Sequence, residues 1–170
     1  ATSSAEYSKM VAHTSTTILD TRKTTPGLRV LEKWAVSLGG GGNHRMGLYD
    51  MIMLKDNHID FAGGIIPAVT SVREYLSDKQ KSLKIEVETR DLQEVREALI
   101  AGVDRIMLDN FTTDDTRIAV ALIDRRAETE SSGGITKDSL VSYAECGVDY
   151  ISVGALTHQI KSLDMSLKAI

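Results

Sequence analysis

The sequence is short of several features, and each shortage excludes a class of protein. Its single cysteine, Cys146, allows no internal disulfide, which excludes a disulfide-stabilised scaffold and is typical of a reducing compartment. No apolar run approaches the roughly 20 residues of a membrane-spanning helix, and the N-terminus has no basic-then-apolar signal pattern. A net charge of -4 gives no reason to expect nucleic acid as a partner. We therefore expect a cytoplasmic protein that binds neither membranes nor nucleic acid.

What remains is the composition of one α/β domain. At 170 residues, with 42% hydrophobic and 26% charged residues, the chain is long enough for one domain with a full core. It begins at Ala1 without an initiator methionine, which suggests a piece of a longer chain. We expect residues 1–170 to form that single domain.

Short apolar runs alternate with helical patterns along the chain. Strands are predicted near residues 17–19, 51–54, 84–88, 104–108, 128–131 and 148–153, and helices over 4–12, 28–38, 65–76, 91–100, 113–125 and 136–145. An internal repeat supports them, since AGVDRIML from Ala101 recurs as CGVDYISV from Cys146. In the second helix, Leu28, Leu31, Ala35 and Leu38 fall on one face. Short regular units of this kind favour an incomplete (β/α) barrel with about six parallel strands over a doubly wound sheet.

Cationic side chains follow the first two predicted strands and the four glycines between them. The polar residues at these points are Thr21, Arg22, Lys23, His44, Arg45 and Lys55. Because the carboxyl ends of parallel strands surround one binding site, we expect these side chains to converge. The planar guanidinium of arginine matches a carboxylate bidentately. The pattern therefore predicts a ligand with two carboxylates.

Two carboxylates end neighbouring predicted strands. Glu88 and Asp109 suit a shared Mg²⁺, although each could instead be an ion-pair partner of the cations. Glu86 lies on the same strand face as Glu88, and its buried carboxylate would need a partner, with Lys23 or Lys55 as candidates.

Small residues follow the last two predicted strands. Barrels commonly hold phosphate there through free backbone N–H groups, although glycines can also serve only to make turns. The candidate phosphate-binding residues are Ser132, Gly133, Gly134, Val153, Gly154 and Ala155. By contrast, we expect Trp34 to be a core residue and His158 to be structural or at the surface.

The motifs at these positions resemble those of the quinolinate phosphoribosyltransferase family, also called nicotinate-nucleotide pyrophosphorylases (carboxylating). They occur in the order of that family over essentially the whole chain. They are LDTRKTTPGLR from Leu19, GGGGNHR up to Arg45, IMLKDNH from Ile52, IEVE from Ile85, LDNF from Leu108, SGGIT from Ser132 and SVGA from Ser152.

The resemblance implies a pentosyltransferase of NAD biosynthesis with a type II phosphoribosyltransferase barrel. Such an enzyme transfers phosphoribose from phosphoribosyl pyrophosphate to quinolinate and releases CO₂, giving nicotinate mononucleotide with Mg²⁺ as the cofactor. The family carries an N-terminal α+β domain that is absent here, and it forms homo-oligomers, dimers or dimer-based hexamers, whose active site is shared between subunits. Absence of that domain leaves open whether this piece alone is active.

The resemblance also implies roles for individual residues. The catalytic set is Lys23, Lys55, Glu88 and Asp109. Quinolinate or the pyrophosphate donor is bound by Arg22, Lys23, His44, Arg45 and Lys55. Glu88 and Asp109 lie near the ribose and Mg²⁺, and Ser132, Gly133 and Gly154 match the 5′-phosphate site.

Three alternatives remain open from the sequence. A Schiff-base aldolase would use Lys55 as its amine. A related phosphoribosyltransferase would accept nicotinate or another base. A non-catalytic barrel would serve assembly alone.

Overall fold

The structure, a computed structural model, describes residues 1–159 and 164–169. Within these residues, six parallel strands form one sheet in the order β1-β6-β5-β4-β3-β2. The strands are β1 (Thr17–Leu19), β2 (Ile52–Leu54), β3 (Ile85–Thr89), β4 (Arg105–Asp109), β5 (Glu128–Ser132) and β6 (Tyr150–Ser152). Strands β1 and β2 are the two edges of this curved sheet, so the predicted incomplete barrel is confirmed and its opening lies between them.

Helices connect the strands and cover the outside of the sheet. They are α1 (Thr2–Met10), α2 (Arg29–Leu38), α3 (Asp56–Ala62), α4 (Ile65–Asp78), α5 (Leu92–Ala101), α6 (Thr113–Ile123), α7 (Lys137–Ala144) and α8 (Ala155–His158). The six predicted helices are confirmed with ends shifted by a few residues, whereas α3 and α8 were not predicted. Asp91 begins α5 as expected, since its carboxylate accepts the N–H groups of Gln93 and Glu94. Among the described residues, no helix combines the length and hydropathy needed to cross a membrane.

The two faces of the sheet differ in polarity because side chains alternate along each strand. Ile18, Val87, Ile106 and Ile151 point outward and pack with the helices in the hydrophobic core. The inward face instead carries the charged side chains of Glu86, Glu88 and Arg105. The parallel register places Glu86 beside Arg105 and Glu88 beside Met107. The core therefore lies between sheet and helices, and the interior of the open barrel is available for a polar site.

Helix α2 exposes to solvent the face that the sequence predicted to be buried. The predicted apolar face is exposed, with Leu31 56% and Leu38 67% accessible, and Trp34 is 61% accessible. Glu32 and Lys33 are buried instead. Lys33 and Glu32 find backbone partners on the inward side, since Lys33 donates to the carbonyl of His44 and Glu32 accepts the N–H of Thr25. Val36 is buried beside them in the hydrophobic core, whereas the other large apolar residues of α2 lie outside.

Candidate active site

A cavity of about 840 Å³ opens at the carboxyl end of the sheet. Every predicted site residue except Val153 lines it. These residues are Thr21, Arg22, Lys23, His44, Arg45, Lys55, Glu88, Asp109, Ser132, Gly133, Gly134, Gly154 and Ala155. Residues separated by more than 100 positions are thus brought to one cavity by the parallel register of the strands.

Val153 is placed differently from the prediction. Its side chain is buried in the hydrophobic core, and its N–H donates to the carbonyl of Leu19 at 2.9 Å. That N–H continues the β1–β6 pairing, so it is not free to bind phosphate. The prediction for Val153 was wrong because a residue at a strand end still pairs with the neighbouring strand.

The cations of the first strands occupy the side of the cavity near the barrel opening. Arg45 donates to the carbonyl of Met51 at 3.2 Å and to Sδ of Met53 at 3.6 Å, which directs it along β2. Burial and the nearby charge of Arg22 lower the pKa of Arg45. The Nε of Arg22 is buried and has no hydrogen-bond partner within the described residues. Two guanidinium groups held close together favour an anionic ligand between or beside them.

Lys23 extends toward the loop after β6. Its Cδ is 3.9 Å from the position that a Cβ on Gly154 would occupy, and its carbonyl accepts the hydroxyl of Thr157 at 2.7 Å. Lys23 therefore belongs with the predicted phosphate-binding residues. A Cβ on Gly154 would also lie 2.7 Å from Nε2 of His158, so glycine permits this close approach. His158 is exposed, in agreement with its assignment as structural or surface, and it also lines the cavity.

The loop after β5 requires glycine for a steric reason. Gly133 has φ 96° and Gly134 has φ 59°, both in the left-handed region. A Cβ on Gly133 would overlap the side-chain oxygen of Asn110. Asn110 itself has φ 56° and donates its N–H to the carbonyl of Ser132 at 2.9 Å, which joins the ends of β4 and β5.

The two predicted Mg²⁺ ligands differ in their surroundings. Glu88 forms an ion pair with Lys55, the alternative that the sequence had left open. Asp109 is half-buried, and its carboxylate accepts a hydrogen bond from the side-chain amide of Asn110 at 2.7 Å. Mg²⁺ is commonly held by one or two carboxylates together with waters and substrate phosphates. The donor set fits this mode at Asp109, which faces the cavity, whereas Glu88 could bind a metal only by sharing its carboxylate with Lys55.

A buried ionic cluster forms the floor of the cavity. Nε2 of His44 lies 3.2 Å from a carboxylate oxygen of Glu86 and 3.2 Å from one of Glu130. Arg105 donates to Glu130 at 3.2 Å and stacks over the ring of Tyr150 at 4.1 Å. Lys23 and Lys55 were predicted as the partners of Glu86. That prediction was wrong, because the strand register places Glu86 one layer of side chains deeper in the barrel than Lys55.

The cluster shifts the protonation of its members. Burial lowers the pKa of His44, but hydrogen bonds and charges from Glu130 and Glu86 outweigh it and raise the pKa to about 9. Nδ1 of His44 accepts the N–H of Arg45 at 2.7 Å, a contact that opposes this rise because it needs an unprotonated Nδ1. Burial and the charge of Glu130 raise the pKa of Glu86 to about 7. His44 thus acts as a bridge between the acidic floor and the backbone of Arg45.

Glu130, Ser152 and Tyr7 line the cavity but were missed from the sequence. The alternation Glu128, Glu130, Ser132 in β5 could have identified Glu130, because it lies two residues before a predicted site residue on the same face. Tyr7 reaches the cavity from α1, and no motif in the sequence signals that.

Comparison with known proteins extends these observations. A family model described as "Quinolinate phosphoribosyl transferase, C-terminal domain" matches residues 1–168. A nicotinate-nucleotide pyrophosphorylase (carboxylating), chloroplastic, of Arabidopsis thaliana is 53% identical over 166 residues, which cover 89% of this chain and 48% of that protein. A probable nicotinate-nucleotide pyrophosphorylase (carboxylating) of Bacillus subtilis (strain 168) is 51% identical over 150 residues, which cover 88% of this chain and 51% of that protein.

A solved structure, that of the nicotinate-nucleotide pyrophosphorylase from Francisella tularensis, superposes with a TM-score of 0.90 at 44% identity. The match covers 96% of this chain and 57% of that one. The chain spans about half the length of the curated relatives that it matches.

Proposed function

The chain belongs to the quinolinate phosphoribosyl transferase C-terminal domain family, and on this premise we propose that it is the barrel domain of an enzyme that makes nicotinate mononucleotide. The proposed reaction transfers phosphoribose from phosphoribosyl pyrophosphate to quinolinate and releases pyrophosphate and CO₂. The observation that carries the proposal is one cavity with arginines at one side, glycine loops at the other and carboxylates between them.

Quinolinate is assigned to the side near the barrel opening. Its adjacent carboxylates require two cationic groups at close range, and Arg22 and Arg45 supply them, with Lys55 beside them. These residues position the ring nitrogen toward the donor sugar, which lowers the entropic part of the barrier.

The phosphoribosyl group is assigned to the opposite side. Ser132, Gly133 and Gly154 offer small residues and close backbone approach for the 5′-phosphate. Lys23, whose side chain reaches toward Gly154, supplies positive charge for the pyrophosphate group of the donor. Asp109 and Glu88 are placed to accept hydrogen bonds from the ribose hydroxyls. Mg²⁺, proposed to bind at Asp109, would neutralise the charge that develops on the departing pyrophosphate.

The chemistry follows from these positions. The quinolinate nitrogen attacks C1 of the ribose, the C1–O bond to pyrophosphate breaks, and Lys23 stabilises the charge on the leaving group. The pyridinium nitrogen so formed is cationic. It accepts the electron pair of the C–C bond when the adjacent carboxylate leaves as CO₂, and a proton then takes the vacated ring position. No organic cofactor is required for this sequence.

A direct test measures CO₂ and pyrophosphate released from quinolinate and phosphoribosyl pyrophosphate. It should use the 170-residue chain and a fusion of it to the N-terminal part of the Bacillus subtilis relative. We expect equal amounts of the two products from the fusion and loss of both in Lys55→Ala. Release of neither product by the fusion, together with no binding of quinolinate to the chain in calorimetry, would refute the proposal.

The same product measurement, together with two further assays, separates the alternatives. A phosphoribosyltransferase for another base would release pyrophosphate with nicotinate but no CO₂ with quinolinate. Reductive trapping of a carbonyl substrate on Lys55 by borohydride would reveal an aldolase. An assembly domain would bind neither quinolinate nor phosphoribosyl pyrophosphate.

We also propose a homo-oligomer, a dimer or a dimer-based hexamer, in which a second copy covers the outer face of α2 and the active site is shared between subunits. The exposed side chains of Val30, Leu31, Trp34 and Leu38 form an apolar surface on the helix that also holds the cation-bearing loops. Light scattering after chromatography tests this, and a monomeric parent protein would contradict it.

The proposed compartment is the cytoplasm. The Arabidopsis relative is named chloroplastic, so fractionation of the source cells is the relevant measurement.

A further inference from the structure

The segment 42–45 lies at the opening of the barrel, where no complete strand holds it. Gly42 makes a single parallel bridge to Leu19, and its N–H donates to the carbonyl of Ile18 at 2.8 Å. Four glycines, 39–42, precede His44 and Arg45 and supply no side-chain packing. Backbone hydrogen bonds to the end of β1 hold Gly42, and the positions of His44 and Arg45 depend in addition on contacts that side chains make to residues 43–45.

A buried ion pair on the outer side of the segment supplies such contacts. Asp20 directly follows β1 and is 0% accessible, and Lys33 on α2 is 1% accessible. The ammonium of Lys33 is paired with the carboxylate of Asp20 and also donates to the carbonyl of His44 at 2.8 Å. The carboxylate of Asp20 accepts the N–H of His44 at 2.9 Å and the amide of Asn43 at 2.6 Å.

Both backbone groups of His44 are thus held by one ion pair. Asn43 adds a further link, since its amide also donates to the carbonyl of Lys33 at 2.8 Å and its oxygen accepts the hydroxyl of Ser37 at 2.8 Å. We call Asp20, Lys33 and Asn43 the loop clamp. It joins helix α2 to the end of β1 and to segment 42–45, which are themselves linked by the bridge between Leu19 and Gly42 and by the N–H of Asp20, which donates to the carbonyl of Gly42 at 3.2 Å.

We propose that the loop clamp is a positioning device that sets the spacing between Arg22 and Arg45 and so determines selectivity for a ligand with two adjacent carboxylates. The proposal rests on the proposed function, because it assigns the arginine pair to quinolinate. Asp20 precedes Arg22 by two residues in the chain, and His44 directly precedes Arg45. Any displacement of segment 42–45 from Asp20 therefore changes the separation of the two guanidinium groups.

An ion pair suits this task better than apolar packing does. Buried ion pairs add little net stability relative to apolar residues of similar size, but their hydrogen bonds have fixed directions. The pair binds the N–H and the carbonyl of His44 at defined positions. Misplacement of a binding group by about 1 Å can cost about 100-fold in rate, so small shifts are sufficient.

The test compares the parent chain with Lys33→Met/Asp20→Leu, which replaces the pair by apolar residues, and with Asn43→Ala, which removes one arm and keeps the pair. Calorimetry measures the binding of quinolinate, nicotinate and pyrophosphate to each folded protein. We expect quinolinate affinity to fall at least tenfold in the double variant and less in Asn43→Ala. Pyrophosphate affinity should change by less than twofold, because Lys23 makes no hydrogen bond or ion pair with Asp20, Lys33 or Asn43 in the described part of the chain.

The ratio of quinolinate to nicotinate affinity is the readout that a merely structural role would not move. We expect it to fall toward one in the double variant. An unchanged ratio in a folded double variant overturns the proposal. If that variant does not fold, an unchanged ratio in Asn43→Ala overturns it instead. Failure of the parent chain to bind quinolinate would count against the proposed function, which separates the two outcomes.

Discussion

Replacing Lys33 alone with methionine should lower the free energy of unfolding by about 3–5 kcal/mol, because it leaves a buried carboxylate without its counter-charge. Asp20 is 0% accessible and cannot recover hydration when the ammonium is removed. It keeps the hydrogen bonds from His44 and Asn43, which places the expected loss within this range and not above it. Methionine has nearly the length of the lysine side chain, so the change in packing is small.

The loss is large relative to the stability of a domain of this size. Chains of 150–250 residues lose about 2–4 °C in melting temperature for each kcal/mol, so a fall of roughly 6–20 °C is expected. Equilibrium urea unfolding followed by circular dichroism measures the change, with the slope in denaturant as a check on two-state behaviour.

The double variant Lys33→Met/Asp20→Leu is the matched comparison. It removes both charges together, so it should be more stable than Lys33→Met by at least about 2 kcal/mol, although the N–H of His44 loses its acceptor. Equal stability of the single and double variants would refute the reasoning, because it would show that the unpaired carboxylate is not the source of the loss. A single variant within about 0.5 kcal/mol of the parent would refute it as well.

Four further outcomes are expected. The contribution of His44 to stability is measured as the difference in the free energy of unfolding between the parent and His44→Gln. It should be complete below pH 6.5 and disappear as the pH rises through about 9, because the pKa of His44 is raised in the folded state. A difference that grows with pH would contradict this. Gly133→Ala should weaken the binding of phosphoribosyl pyrophosphate at least tenfold, since the added methyl would overlap Asn110 and the left-handed backbone would be strained. Unchanged calorimetric affinity would argue against this placement. Arg45→Ala should lower quinolinate affinity by about 10- to 100-fold, and Arg45→Lys should lower it by less, because lysine keeps the charge but loses the bidentate geometry. Equal losses of affinity in calorimetry would contradict this reasoning. Trp34→Asp should shift the light-scattering mass toward the monomer, while a polar substitution at the exposed Phe61 on α3 should not.

Much of the fold could be predicted because it depends on local patterns. The alternation of apolar runs and helical segments identified six strands, and the capping residue Asp91 located the start of α5. The ends of strands supplied the candidate site, since parallel strands bring their carboxyl ends to one edge. That rule located the cavity residues from Thr21 to Ala155, with Val153 as the exception.

The errors have a common cause. Helix α2 was read from its apolar periodicity, which assumes that a helix packs on an apolar surface. Here it packs on loop backbone, so Lys33 is inside and Trp34 outside. The partner of Glu86 was likewise chosen by charge alone, and the register of β3 against β4 and β5 decided it differently.

The sequence by itself determined the element types, their order and the kinds of groups at the strand ends, because helical and strand periodicities and motif spacing are properties of neighbouring residues. Only the tertiary structure decided which charges meet. Whether Lys33 binds Asp20, Lys55 binds Glu88 or His44 binds Glu130 depends on the depth of each residue in the sheet and on which helix covers which loop. Those depend on packing between distant segments, and Coulomb attraction acts at distances that the linear order of the chain does not specify.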